Sequence, residues 1–111
     1  MRNELTKLEN LTITEIKRVH DYWQIYTDKG GININNPIVY IKFNKRYELT
    51  NSIIDAIIGK KIVRVKVKEF KFISLVMENK GELIISLLDD DYSCPEAMEI
   101  YLNSGEIIVI N

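Results

Sequence analysis

The sequence predicts a mainly β chain: a β-dominated α+β domain folded as an antiparallel meander, small sandwich or half-barrel of about eight strands, with one short helix near 51–58. Three observations predict it. From Lys61, the residues Val63, Val65 and Val67 alternate with Arg64, Lys66 and Lys68, a period of two with one face wet. The other apolar runs are separated by turns bearing Asn and Gly. Only one segment combines a cap residue, helical apolar spacing and a stopping glycine. With 111 residues the chain can bury one core, so 1–111 is expected as a single domain that needs no disulfide or metal staple.

The elements follow in chain order. Leu5 and Leu8, three apart between Glu4 and Glu9, suit a short helix. Tyr22 to Thr27, the turn Asp28-Lys29-Gly30-Gly31 and Ile32 to Asn35 read as a hairpin. Ile38 to Phe43 is a further strand, entered through Asn36-Pro37. Asn51 to Gly59 supplies the helix, with a polar start and a glycine stop. After the alternating strand come Ile73, Leu75 and Met77, the turn Glu78-Asn79-Lys80-Gly81, then Leu83 to Leu88. That last run is apolar on both faces and therefore central. Ser93-x-x-Glu96 around Pro95 suits a capping box and a single helical turn. Met98 to Leu102 and Ile107 to Ile110, joined by Asn103-Ser104-Gly105, close the chain as another hairpin.

The two halves are similar. Leu11-x₄-Ile16-Lys17-Arg18-Val19 matches Ile57-x₄-Ile62-Val63-Arg64-Val65 at an offset of 46, and each is followed by an aromatic-bearing strand, a glycine turn and an apolar strand. A duplicated β-meander accounts for this, and the small alphabet of short strands is the competing account.

The net charge of −1 hides a gradient: +2 over residues 1–50, +4 over 51–80 and −7 over 81–111, a segment without Lys or Arg. Neighbouring strands with complementary charges would produce it, as would a dipolar surface that steers a charged partner. A nucleic-acid binder would show a basic domain or an uncontested basic face, so nucleic acid is disfavoured as a partner. No apolar run is long enough for a membrane span and the start lacks a secretory h-region, so no membrane partner and a cytoplasmic location are expected. The lone Cys94 cannot form an internal disulfide, in keeping with a reducing compartment.

Chemistry-bearing residues are few. Asp89-Asp90-Asp91 could attract a hard cation, but the spacing and glycine of a calcium loop are missing and adjacent strand residues diverge. A solvated loop or an acidic contact for a basic partner fits better, and neither a metal site nor a cofactor is expected. His20, beside Asp21, could pair with Asp21 or Cys94 for nucleophilic catalysis, but neighbours point apart in a strand and Cys94-Pro95 carries no nucleophile motif. No catalytic residue is therefore assigned. In an alternating strand Trp23 and Ile25 share a core face, whereas Tyr22, Gln24 and Tyr26 share a semi-exposed platform. Tyrosine is favoured in binding hot spots because it combines rigid area with a polar tip. None of the local phosphate-loop, dinucleotide, nucleophile-elbow, zincin or C-x-x-C signatures is present.

Ile57-Ile58-Gly59-Lys60-Lys61-Ile62, the spaced run Leu75-x-Met77-x-Asn79-x-Gly81-x-Leu83-x-Ile85, Pro95-Glu96-Ala97-Met98 and the closing Gly105-to-Val109 strand resemble a group of small bacterial β-rich proteins. Some members are similar to immunity proteins that neutralise toxins made by the same cell. The resemblance runs over about residues 10–111. It implies a glycine-entered meander and a Pro-Glu-Ala turn before the closing hairpin, and it transfers no site residues. Cys94 stands where the group tends to have glycine.

The expectation is a non-catalytic protein-binding domain, of the toxin-neutralising immunity kind, acting by surface occlusion. Its protein-binding residues are Tyr22, Tyr26, Asp89, Asp90, Asp91 and Tyr92, and its partner a cognate toxin-like protein. The alternative is a small-molecule-binding or hydrolytic domain with a pocket near the acidic loop 89–91. A homodimer through the edge strand Ile107 to Ile110 is a further expectation.

Overall fold

The computed structural model describes residues 2–111. A short helix α1 (Arg2–Leu5) runs into a 3₁₀ turn (Thr6–Leu8). Strands β1 (Ile13–Val19), β2 (Tyr22–Thr27), β3 (Gly30–Ile34), β4 (Ile38–Lys42) and β5 (Lys45–Tyr47) follow. Helix α2 (Asn51–Ile57) precedes β6 (Ile62–Lys68), β7 (Phe72–Met77) and β8 (Glu82–Ser86). A 3₁₀ turn (Asp89–Asp91) then leads to β9 (Met98–Leu102) and β10 (Ile107–Ile110). All pairings are antiparallel, in two open five-stranded sheets ordered β1-β2-β3-β9-β10 and β5-β4-β8-β7-β6.

The predicted mainly β class is the observed one, with ten strands rather than eight. The two additional strands are β1 and β5. All three β5 residues are exposed, so β5 has no apolar face to reveal it. β1 is masked by a bulge. The register shifts between Ile13 and Glu15, and Ile13 and Ile16, three apart, are its buried residues. The same device alters the alternation predicted from Lys61. A register shift between Ile62 and Arg64 leaves Val63 46% exposed, while Ile62 and Val65 are buried. Val63 therefore does not share the core face expected for it with Val65.

The inner faces of both sheets meet in one cluster. The first sheet contributes Ile13, Ile25, Ile32, Ile34, Met98, Ile100, Ile108 and Ile110. The second contributes Ile38, Tyr40, Ile62, Ile73, Leu75, Met77, Leu83 and Ile85. Leu5 and Leu8 from the N-terminal helical segment and Ile57 from α2 complete it. β8 is central, between β4 and β7, as its two apolar faces predict.

The two halves repeat one plan. Helical segment, three-stranded meander and hairpin occur twice, and each hairpin joins the meander of the other half: β4-β5 beside β8, and β9-β10 beside β3. The pairing registers equate Ile13 with Ile62 and Ile16 with Val65, an offset of 49. The expected offset of 46 is therefore corrected. Because the two buried residues are three apart in both strands, a slip of three superposes Ile16 on Ile62. The largest break in the repeat lies in the links from meander to hairpin. Residues 35–37 serve in the first half, against 87–97 in the second.

Two helical expectations shift. α2 starts at Asn51 but is capped by Thr50, whose Oγ1 accepts from the Ile53 N–H at 3.4 Å. Helix α2 stops before Gly59, whose φ of 85° suits glycine. No helical turn forms over Ser93–Glu96; the 3₁₀ turn falls on Asp89–Asp91. The Glu96 carbonyl accepts from Asn35 Nδ2 and from Cys94 Sγ, and the Ala97 carbonyl accepts from the Asn35 N–H, so these acceptors are committed elsewhere.

Candidate functional site

Strand registers gather four connections at one end of the molecule. The β1–β2 turn adjoins the end of β3 and the start of β9, and the β6–β7 turn adjoins the end of β8 and the start of β4. The links 35–37 and 87–97 run between these strand ends, so all four connections sit together. Tyr22, Asp89, Asp90, Asp91 and Tyr92 lie at this end. Tyr26 does not. It is four residues along β2 from Tyr22, about 13 Å away.

Ser86 positions the acidic turn. Its hydroxyl donates to Asp91 Oδ2 and accepts from the Leu88 N–H, and the Asp91 N–H closes on the Leu88 carbonyl at 2.9 Å. The Leu87 N–H donates to the Lys71 carbonyl at 2.9 Å, fastening the link to the β6–β7 turn. Asp89 and Asp90 are exposed and Asp91 is half-buried. Three aspartates in one turn repel one another, so a cationic surface that neutralises them is favoured there.

Around this turn the sequence reading missed two apolar residues. Phe70, held at φ 63° in the β6–β7 turn, is 81% exposed, and Leu88 is 51% exposed. Phe70 lines a groove of about 410 Å³ with Glu69, Leu87, Asp89, Tyr92 and Asn111. The available signal was a phenylalanine inside the polar turn Glu69-Phe70-Lys71, where no apolar residue is needed for packing.

A second cleft, about 530 Å³, lies between the sheets at the same end. Trp23, Asn36, Arg18, Arg46, Asp21 and Asp91 are among its walls. The Arg18 guanidinium stands over the Trp23 ring at 5.2 Å, and its Nε donates to the His20 carbonyl at 3.0 Å. Asn36 is 2% exposed. Its Nδ2 donates to the Ser86 carbonyl at 2.8 Å and its Oδ1 has no partner among the described residues. Asp91 thus faces this cleft, whereas Asp89 and Tyr92 face the Phe70 groove. Asp90 lines neither.

Tyr26 belongs to the outer face of the first sheet. Gly31 is opposite it on β3 and Tyr101 follows on β9. The Tyr26 hydroxyl donates to Gln24 at 2.8 Å and Lys17 stands 5.7 Å from the ring. Tyr101 donates to Glu99 at 3.0 Å, and that bond and the Glu99 charge hold the Tyr101 hydroxyl above its ordinary pKa. Trp23 and Ile25 occupy the opposite, core-facing side, as their alternation predicts.

His20 is exposed in the β1–β2 turn at φ 55°, and its ring has no hydrogen bond among the described residues. Cys94 donates to the Glu96 carbonyl at 3.4 Å. Neither contacts the other, and no group of three or more His, Cys, Asp or Glu side chains is gathered for a metal among the described residues. Among the described residues no helix is long and apolar enough to cross a membrane. Comparison of the chain with protein-family models, curated proteins and solved structures finds no match.

The charge gradient is resolved in part by complementary neighbours. Lys66 bonds Glu82 at 3.0 Å across β7, and Lys7 pairs with Glu106, so part of the acidic third neutralises basic neighbours. Asp89, Asp90 and Asp91 form no ion pair among the described residues.

Proposed function

We propose that this chain is a non-catalytic protein-binding domain of the toxin-neutralising immunity kind, and that it engages a basic partner through the end built from Asp89, Asp90, Asp91, Tyr92, Phe70 and Leu88. The observation that carries this reading is Phe70, 81% exposed beside unpaired aspartates. A protruding aromatic ringed by charge has the make-up of a binding hot spot: the ring supplies desolvated area and the acids supply orientation and rate. The link 87–97 supports it further. It is the long departure from the internal repeat: residues 35–37 make the corresponding connection in the other half, and although Leu87 and Ala97 at its ends belong to the core, Asp89 and Asp90 between them are exposed. Tyr22 flanks the same end, and Tyr26 contributes a separate patch.

The test is binding to the purified product of the adjacent gene, the cognate toxin under this reading. Phe70→Ala should weaken the complex by about 30-fold or more, in line with loss of a hot-spot aromatic. Replacing Asp89 and Asp90 by Asn should chiefly slow association and flatten its salt dependence. Mixtures that stay separate at micromolar concentration would remove the immunity assignment.

One observation favours a second reading, a small-molecule site in the cleft beside Asp91. There the unpartnered Asn36 Oδ1, Trp23 and two arginines border one space. A ligand held there would protect the Trp23 indole from fluorescence quenching by iodide, whereas protein docking at Phe70 would leave it unchanged.

A further inference from the structure

The four sheet edges are not alike. β1 carries a bulge at Thr14 and the charges Glu15, Lys17 and Arg18. β6 carries a bulge at Val63 with Arg64, Lys66 and Lys68, and the Glu9 carboxylate accepts its Val65 N–H at 3.0 Å. β5 is three residues long and bears Lys45 and Arg46. Bulges, charges, a capped donor and short length all discourage strand addition. β10 has a different character. It reads Ile107-Ile108-Val109-Ile110, without charge, proline or bulge.

The contrast is sharpest with β5, because the internal repeat makes β5 and β10 equivalent: each is the outer strand of a hairpin delivered to the other half's sheet. One position in the plan is thus defended in the first copy and left open in the second. The hydrogen-bond phase of β10 gives the reason to expect a partner strand. The Leu102 N–H donates to the Glu106 carbonyl at 2.9 Å and the Ala97 N–H to the Ile110 carbonyl at 2.7 Å, so Glu106 and Ile110 turn their main chain toward β9. Antiparallel alternation then aims the N–H and C=O of Ile107 and Val109 away from the sheet. Their side chains lie 61% and 48% exposed on the outer face, beside Tyr101 at 40%.

We propose that β10 is a dimerisation strand whose occupant is β10 of a second copy of this chain, paired antiparallel about a two-fold axis at Ile108. The strand is complementary to itself. In this register Ile107 of one copy bonds Val109 of the other through both its N–H and its C=O, and the symmetric pair does the same. Ile107 also packs on Val109 across the junction, one β-branched residue against another. No like charges meet: Glu106 is the only charged residue from 105 to 111, and Lys7 already neutralises it. The product is a continuous ten-stranded sheet that covers the one undefended edge. This inference does not rest on the partner reading above: it uses the open main chain of β10, whereas that reading uses the side chains of the turns around Phe70 and Asp89.

Sedimentation equilibrium of the full chain at about 5 to 500 μM tests it. The apparent mass should rise from 13.0 kDa toward twice that value with concentration. Substituting Ile107→Lys together with Val109→Lys places like charges opposite each other and should raise the dimer dissociation constant at least about 30-fold. Val109→Pro removes an N–H that the monomer does not use, so it should abolish the dimer while the β circular dichroism stays unchanged. Arg64→Lys on the β6 edge should leave the dimer intact. A single 13.0 kDa species at every concentration overturns the proposal, as does a dimer that survives both β10 variants.

Discussion

Thr12 and Lys61 pair with each other in an isolated antiparallel bridge, and they are equivalent residues of the two halves, 49 apart. The approximate two-fold axis of the molecule therefore passes between them. Each has the same clamp. The Thr12 N–H donates to Asp28 Oδ1 and its carbonyl accepts the Asp28 N–H, at 3.0 and 3.1 Å. The Lys61 N–H donates to Glu78 Oε1 and its carbonyl accepts the Glu78 N–H, at 3.0 and 2.9 Å. The turn after each second strand is thereby locked to the chain segment where the halves cross.

Breaking one clamp should loosen that crossing. Asp28→Ala leaves the Thr12 N–H to water and should lower stability by about 0.5–1.5 kcal/mol, read as a lower urea midpoint. Asp28→Asn keeps an acceptor oxygen and should cost less. Glu78→Ala should behave like Asp28→Ala, since the geometry repeats. A Glu78 variant as stable as the parent would mean that the repeat is one of shape and not of energetics.

Gly30, the first residue of β3, and Gly81, just before β8, are both closed in by a tyrosine of the crossing hairpin. A Cβ on Gly30 would overlap the Tyr101 carbonyl, and one on Gly81 would overlap the buried Tyr40 ring. Gly30→Ala should cost about 3 kcal/mol or more, because main chain cannot move aside as a side chain can. Gly105→Ala meets no neighbouring atom and should cost only about 1–2 kcal/mol, from its φ of 94°. Thermal unfolding of the two variants gives the ranking directly.

The fold was legible where packing follows a simple period. The run Leu83 to Leu87 alternates buried with half-buried residues, and Ile73, Leu75 and Met77 are all buried, because no residue is inserted in either strand. It was not legible where a bulge adds a residue. At Ile13–Ile16 the buried pair is three apart, which hid β1; at Ile62–Val65 the strand itself was legible, but the same spacing misplaced Val63 and displaced the internal match by three. The site was half legible. The run Asp89–Asp91 is visible as composition, but Phe70 is nineteen residues earlier, and only pairing of β7 with β8 brings their ends together.

Asn36 marks the seam between the sheets, bonding Ser86 with one amide atom and leaving the other without a partner at 2% exposure. Asn36→Asp exchanges the donor for a second acceptor facing the Ser86 carbonyl and buries a charge. At neutral pH it should destabilise by about 3–5 kcal/mol. Burial raises the folded-state pKa of the new carboxyl, so the penalty is absent below the unfolded value of about 3.9 and grows as pH rises above it. Urea midpoints at pH 3.5 and 7 would separate this from simple loss of a contact, which would not depend on pH.

Glu82 provides the complementary pH signature. It is the first residue of the central strand β8, on the second sheet's outer face, where it accepts from the buried Ser74 hydroxyl at 2.6 Å and bonds Lys66 at 3.0 Å. The Ser74 hydrogen bond is the largest cause of a lowered carboxyl pKa. Burial opposes it, and the Lys66 bond and the Lys66 and Arg64 charges assist. A lowered folded-state pKa means stabilisation that is present above the unfolded value and is lost as pH falls through the folded one. The stability difference between the parent and Glu82→Gln should therefore be full at pH 7 and vanish on acidification below the ordinary carboxylate range. Carboxyl NMR titration should find the Glu82 pKa moved upward more by Ser74→Ala than by Lys66→Gln. At high salt the Lys66 contribution should shrink, because that pair is open to solvent, while the Ser74 contribution persists, because its hydroxyl is not. The opposite ranking would place the control of this carboxylate in the surface charges and not in the buried hydroxyl.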